Sequence, residues 1–348
     1  MIRAKEKVKK KTSIGGQALI EGVMMRGPDK TSMAVRHVSG EIVLKSWATA
    51  GKNRAKFFKL PFIRGVFNFI DSMAIGYRCL MRSAEMAGLD DDTASQKIAP
   101  STLDTVACDN NEPGSECRTE NSKPETATSD KSKSRGLKDF GMTLILIVSA
   151  VLGVLISIGL FMTLPVFLFN HLRVIFPMLD NNIWRAVIEG FMRILLFVAY
   201  IFAVSFMKDI RRVFMYHGAE HKTIFCYEKG EELTIENVRR QIRFHPRCGT
   251  SFMILMLIVG IVISIFIKPS IPIVRTGIKI LTIPLIVSIG YELIKLAGRS
   301  DHWIVRAISA PGLWLQRVTT KEPTDDMIEV AIKAFKAVIP DNPESDRL

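Results

Sequence analysis

The residues best suited to chemistry lie between positions 208 and 250, where two histidines stand four residues apart. His217 and His221 would share one face of a helix, and two imidazoles at this spacing form a standard pair of zinc ligands. The segment HGAEH also matches the H-x-x-E-H motif, in which the glutamate is the general base of a zinc peptidase. The pattern predicts a zinc-dependent hydrolase with Glu220 as the catalytic base, and a peptidase is the more specific prediction.

Two further donors follow in the segment HPRC. His245 and Cys248 stand on either side of a proline bend, so both side chains can turn toward the first two histidines. Three imidazole nitrogens and a thiolate would complete a closed, structural zinc site. If only one of His245 and Cys248 binds, a position stays open for water, as in catalytic sites. Glu292 is a candidate of second rank, because an acid inside an apolar segment is costly and usually functional.

The residue types leave other functions open. A non-enzymatic membrane scaffold or assembly factor could use the same metal only to fold the loop, and histidines also occur simply for packing. A transporter is a third reading, based on Glu189, Arg193 and Glu292 in apolar segments. Glu189 and Arg193 are one helical turn apart, so the sequence favours a satisfied pair between them.

Four apolar stretches must position these residues. Each is read as a transmembrane helix, and Pro165 is expected to kink or end the first one. The four stretches cover residues 140–169, 184–207, 251–267 and 278–297. We therefore expect a mainly α membrane protein, a four-helix transmembrane bundle with a small N-terminal β-hairpin region and a cytoplasmic helical loop that carries the metal site.

The distribution of positive charge predicts the orientation of this bundle. The loop between the second and third stretches, residues 208–250, contains nine Lys and Arg residues. The loops before and after it contain two each, Arg173 and Arg185 in one and Lys268 and Arg275 in the other. Because positive loops stay in the cytoplasm, the 208–250 loop and both chain termini are expected there.

The remaining segments have distinct compositions. MAVRHVSGEIVLKSW predicts a hairpin that turns at Ser39-Gly40, and the preceding GGQALIEGVMMRGP is interpreted as a turn before that hairpin. The Phe-rich segment 56–88 contains too many charges to span a bilayer, which favours an amphipathic helix at the membrane interface. The expected order is a β region at 1–55, this helix, and a disordered acidic linker at 89–139. After the last span we expect a cytoplasmic tail at 298–348, with one amphipathic helix over TDDMIEVAIKAFKAVI.

Composition narrows the class of protein. The net charge of +13 is explained by basic loops, and the sequence contains no nucleic-acid-binding module. The five cysteines are scattered and odd in number, which argues against a disulfide framework and for a reducing compartment. The lipid bilayer is the expected partner. The sequence is compatible with a homo-oligomer and identifies no protein partner.

Several long motifs together resemble the YqhQ family of bacterial membrane proteins, across nearly the whole chain except residues 89–135. The motifs are GGQALIEGVMMRGP, HGAEHKTIFCYE, HPRCGTSF, YELIKLAGR and PGLWLQRVTTKEPTDDMIEVAI. The resemblance implies a bacterial plasma membrane and a domain of unknown function. It also implies a metal-dependent enzyme, a label that rests on the positions of His217, His221, His245 and Cys248.

Overall fold

A computed structural model describes residues 11–49, 60, 62–88, 148–269, 271–299, 302–342 and 345–346. The chain divides into two units. The first comprises Met1–Asp92 and Gly159–Leu348. Of the second, Thr93–Ile158, the described residues 148–158 are helical. The linker expected at 89–139, with Cys108 and Cys117, and the start of the first expected span at 140–147 lie outside the described residues.

The helices of the described chain follow an N-terminal sheet. They are α1 Ile63–Ala87, α2 Val148–Ile175, α3 Asn182–Val204, α4 Lys208–Glu228, α5 Ile235–Arg239, α6 Gly249–Ser264, α7 Pro272–Leu281, α8 Ile283–Arg299, α9 Trp303–Thr319 and α10 Asp325–Lys336. The expected amphipathic helix near the C-terminus is α10. The structure also contains α9 ahead of it, although Pro311 lies within that helix.

The N-terminal segment forms a four-stranded antiparallel sheet in the order β1-β2-β3-β4. The strands are β1 Gly15–Leu19, β2 Gly22–Arg26, β3 Lys30–Arg36 and β4 Ile42–Ala48. The expected hairpin corresponds to β3 and β4. The interpretation of GGQALIEGVMMRGP as a turn was wrong, because this segment forms β1 and β2, joined at Glu21 in a left-handed conformation (φ 51°). Two five-residue strands rich in glycine show too little alternation to be recognised as a hairpin.

The sheet is covered on both faces. Val23 and Met25 of β2 enter one core, which contains Tyr216 and Ala219 of α4 and most of the apolar face of α10. Met24, between them, points to a second core with Cys79 and Ala87 of α1. Because neighbouring residues of a strand point to opposite faces, β2 is buried along its length. The first core fixes α4, the helix with the two histidines, against β1 and β2.

The described residues contain two helices long and apolar enough to cross a membrane, α2 and α3, or three if the bent pair α7–α8 forms one span. The expected four-helix transmembrane bundle is therefore confirmed only in part. The fourth expected span breaks at Thr282 and bends by 46°. The third, α6, has 16 residues, about 24 Å of helix against a hydrocarbon core of about 30 Å. The first helix does not end at Pro165 but continues to Ile175, after a π-helical turn at Gly159–Thr163.

Glu189 is the centre of a buried charge cluster. The prediction that Glu189 pairs with Arg193 was wrong. Glu189 accepts from Arg185 Nε at 3.2 Å on its own helix, and from Arg275 Nε at 3.1 Å and Lys279 Nζ at 2.5 Å on α7. Arg193 Nε instead donates to the Phe161 carbonyl at 2.9 Å. The carboxylate thus pairs with the arginine one turn before it and with two cations of α7, because a buried carboxylate needs several donors.

Candidate metal centre

The site is built on α4, whose sequence allows a close approach by the chain after α9. A Cβ atom at Gly218 would lie 2.1 Å from the Lys321 carbonyl oxygen, so only glycine permits this contact. Lys321 N–H donates to the Phe214 carbonyl at 2.9 Å, which holds the crossing segment on the helix. The glycine inside the HGAEH segment thus brings the Thr319 carbonyl within reach of the first histidine.

Both histidines of α4 have one ring nitrogen fixed by a backbone carbonyl. Nδ1–H of His217 donates to Thr319 O at 2.8 Å, and Nδ1–H of His221 donates to Arg243 O at 2.6 Å. A carbonyl can only accept, so both Nδ1 atoms carry the proton when the rings are neutral, and both Nε2 atoms are free to bind a metal. This second contact of a metal-binding imidazole fixes its tautomer and orientation.

Cys248 supplies the third donor from the far side of the proline bend. It caps the N-terminus of α6, and its Sγ lies 3.1 Å from His217 Nε2. Burial would raise the pKa of the Cys248 thiol, but His217 and His221 outweigh it and hold that pKa well below its usual value. Burial would lower the pKa of His217, but the charge and hydrogen bond of the Cys248 thiolate outweigh this effect, so the pKa of His217 rises to about 9. The cysteine therefore favours the thiolate, the form that binds metals.

The three donors fit a divalent metal. One ligand atom from each of His217, His221 and Cys248 lies within 4.8 Å of the other two. Zinc bonds of about 2.0–2.3 Å in tetrahedral geometry require ligand separations of roughly 3.3–3.8 Å. The 3.1 Å contact of His217 with Cys248 and the 4.8 Å limit bracket this range, so small side-chain movements suffice. Among the described residues this cluster has three donors, which leaves a fourth position of a tetrahedral ion open.

Glu220 lies beside the cluster and is buried. Its Oε2 is 4.0 Å from His217 Nε2, and its carboxylate accepts a hydrogen bond from the backbone N–H of Gly16. A Cβ at Gly16 would come within 2.9 Å of Glu220 Cγ. The first strand of the sheet can therefore approach the acid this closely only because position 16 is glycine. Burial raises the pKa of Glu220 above its ordinary value, as expected for a general base.

The structure places His245 in a neighbouring network and not with the three donors. Its Nε2 is 3.7 Å from Glu228 Oε2, and that carboxylate also pairs with Arg247. The same acid accepts from the backbone N–H of Thr12 at 3.0 Å, while Arg247 Nη1 donates to the Thr12 carbonyl at 2.6 Å. His245 and Arg247 therefore help to hold the chain ahead of β1 over the site.

Gln316 on α9 was not recognised from the sequence. Its Oε1 accepts from the backbone N–H of His245 at 2.7 Å, and its Nε2 donates to the His245 carbonyl at 2.7 Å and to Ser251 Oγ at 3.0 Å. Gln316 is fully buried, and its role follows from this burial and these bonds, which the sequence does not show. These bonds fix the bend that brings Cys248 to the histidines.

Glu292 pairs with a residue of the helix after the sheet. Arg64 of α1 donates to it through Nε at 2.8 Å and Nη2 at 2.5 Å. The described contacts of Glu292 thus connect α8 to α1 and include none with the three donors.

A pocket of about 200 Å³ opens onto the cluster. The N-terminal residues before and in β1 form one wall, and Glu220, His221, His245, Arg247 and Cys248 form the other. The glycine-rich segment interpreted from the sequence as a turn therefore contributes directly to the site, because Gly15 and Gly16 line the pocket. The volume accommodates a small chemical group, such as a peptide unit, in front of the donors.

Comparisons with known proteins agree with the motif-based resemblance. A family model described as a protein of unknown function (DUF1385) matches residues 60–341. The chain is 34% identical over 328 residues to the uncharacterized protein YqhQ of Bacillus subtilis (strain 168), an alignment that covers 93% of this chain and 92% of that protein. No solved structure is significantly similar to it. The chain therefore belongs to the DUF1385 family of proteins of unknown function.

Proposed function

We propose that this protein is a membrane-integrated, zinc-dependent hydrolase, and that peptides are its substrate class. The observation that carries the proposal is the tautomer set of the two histidines. Backbone carbonyls accept from both Nδ1–H groups, which leaves both Nε2 atoms available to a metal, and one ligand atom of each histidine and of Cys248 lies within 4.8 Å of the others. A three-donor set with an adjacent buried carboxylate has the composition of a catalytic zinc site.

Each residue has a defined role in the proposal. Bound zinc supplies Lewis acidity that activates water and polarises a carbonyl group. His217, His221 and Cys248 would hold the ion, and Glu220 would accept the proton of the attacking water and pass it to the leaving group. The backbone N–H of Gly16 orients the Glu220 carboxylate. Softness of the ligand set, two imidazoles and a thiolate, favours zinc over magnesium or calcium.

The test compares Glu220→Gln with Glu232→Gln, an exposed acid of the same loop. The purified full-length protein in detergent is assayed for bound metal by elemental analysis and for zinc-dependent cleavage of a peptide library by mass spectrometry. Glu220→Gln should retain zinc and lose cleavage by about 10²–10⁴-fold, while Glu232→Gln should match the parent. Zinc binding without zinc-dependent cleavage in the parent would favour the structural-metal alternative.

The proposal places α2, α3, α6 and the α7–α8 pair in the plasma membrane as four crossings, which puts the site and both termini in the cytoplasm. Its support is the apolar composition of these helices and the positive charge of residues 208–250. In a Cys108→Ser, Cys117→Ser background, Met178→Cys at an exposed position between α2 and α3 should react with a membrane-impermeant maleimide in intact cells. Lys336→Cys in the same background should react only after permeabilisation. The reverse result would overturn the orientation.

A further inference from the structure

A second pocket, apart from the metal centre, lies between α1 and the sheet. Its volume is about 460 Å³, and its floor includes Met33 of β3 and Cys79 of α1. Trp47 of β4 forms part of the wall and is 39% exposed. A pocket of this size falls in the range that small ligands occupy.

The lining is strongly basic. It contains Arg26, Lys45, Arg78 and Arg82 and one acid, Asp71, so four minus one gives a net charge of +3. Across the described ranges, no carboxylate lies at ion-pair distance from Lys45, Arg78 or Arg82. All three side chains are exposed at the pocket and available to an anion. Guanidinium groups bind phosphate with two parallel hydrogen bonds, which makes a phosphate group the fitting anion.

An apolar stripe runs along α1 beside this pocket. Ile70, Met73, Tyr77 and Met81 are 53%, 55%, 66% and 52% exposed. Each directly precedes a residue that lines the pocket, namely Asp71, Ala74, Arg78 and Arg82. Because one residue is a rotation of about 100° on a helix, the stripe and the basic lining are adjacent faces of α1. A ligand that spans both must have an anionic head and an apolar tail.

We propose that this pocket binds the headgroup of an anionic phospholipid, whose acyl chains lie along the apolar stripe of α1. The basic lining attracts the phosphate, and Trp47 is of the residue type enriched at the level of lipid headgroups. The exposed stripe explains why the ligand is a lipid and not a soluble phosphate, which would leave those side chains in water. The inference is independent of the metal chemistry and agrees with the apolar helices of the same chain.

The experiment titrates the full-length protein in a neutral detergent with phosphatidylglycerol, phosphatidylcholine or glycerol 3-phosphate and counts bound molecules by native mass spectrometry. The parent should bind one phosphatidylglycerol more tightly than phosphatidylcholine. Arg78→Gln with Arg82→Gln should weaken phosphatidylglycerol binding by about 30-fold, and the corresponding double lysine variant should restore most of it. Glycerol 3-phosphate should compete poorly, because it lacks the chains.

The control removes two positive charges elsewhere, with Arg317→Gln and Lys336→Gln, which are exposed on α9 and α10. It should bind phosphatidylglycerol like the parent. Equal loss in the control would overturn the proposal by showing a general effect of charge, and so would unchanged binding in the double glutamine variant. Equally tight binding of glycerol 3-phosphate would overturn the lipid as the source of the phosphate. Circular dichroism verifies that each variant is folded.

Discussion

His217 Nε2 lies 3.1 Å from Cys248 Sγ, although 31 residues separate the two in the chain. The contact joins the middle of α4 to the first residue before α6. It depends on two supports outside both helices: the Thr319 carbonyl, which orients the imidazole, and Gln316, which fixes the bend before the cysteine. The end of α9 therefore organises a site whose donors all lie elsewhere.

Cys248→Ser should lose zinc. A hydroxyl is a far weaker zinc ligand than a thiolate, so affinity measured by competition with a chelator should fall by at least about 10-fold. Cys226→Ser provides the matched control, since Cys226 is buried on α4 but donates to the Glu231 and Glu232 carbonyls. It should retain zinc. Equal zinc content in the parent and Cys248→Ser would rule the thiolate out as a ligand.

Gln316→Leu should weaken zinc binding without touching a ligand. It leaves the buried backbone N–H and carbonyl of His245 without their partner, a cost of about 1–3 kcal/mol for each unsatisfied group. The freed bend should lower zinc affinity by about 10–100-fold. A lower melting temperature with unchanged zinc affinity would mean that Gln316 supports the fold alone. The zinc affinity and melting temperature are compared with those of Gln241→Leu, which removes another glutamine side chain of the loop, one that donates to Glu231.

Gly218→Ala should destabilise the protein. The new methyl group would meet the Lys321 carbonyl oxygen, a backbone atom, at 2.1 Å. Overpacking of this kind costs about 1–3 kcal/mol and should lower the melting temperature in detergent. A Cβ at Gly277 meets nothing within 4 Å, so Gly277→Ala should be neutral or slightly stabilising. Equal melting temperatures for both variants would contradict the close approach.

Glu189→Gln should be the most destabilising change among the charged residues of the apolar helices. It leaves Arg185, Arg275 and Lys279 buried without their shared carboxylate, and removal of one member of a buried pair costs about 3–5 kcal/mol. Glu292→Gln breaks a pair with Arg64 in which both side chains are about a quarter exposed, so about 1 kcal/mol is expected. Thermal unfolding in detergent separates the two. A larger loss of stability in Glu292→Gln than in Glu189→Gln would contradict the greater importance of the Glu189 cluster.

The sequence by itself determined the local features. The i, i+4 spacing placed both histidines on one face of a helix, and apolar stretches identified the candidate spans α2 and α3. The cap of α5, where the Thr234 side chain accepts from Asn237 N–H, is a feature of the same local kind, because capping depends only on neighbouring residues. That helix ends at Arg239, well before Pro246, so the proline does not set its length.

The tertiary structure alone decided which residues meet. From the sequence, His245 and Cys248 were equivalent donors three residues apart. In the structure the cysteine joins the three-donor cluster, while the His245 ring lies 5.7 Å from that of His221 and contacts Glu228 and Arg247. The glycine-rich N-terminal segment became a wall of the site because β1 packs on α4. Such contacts join residues far apart in the chain, and their geometry follows from the packing of whole elements, which spacing along one segment does not encode.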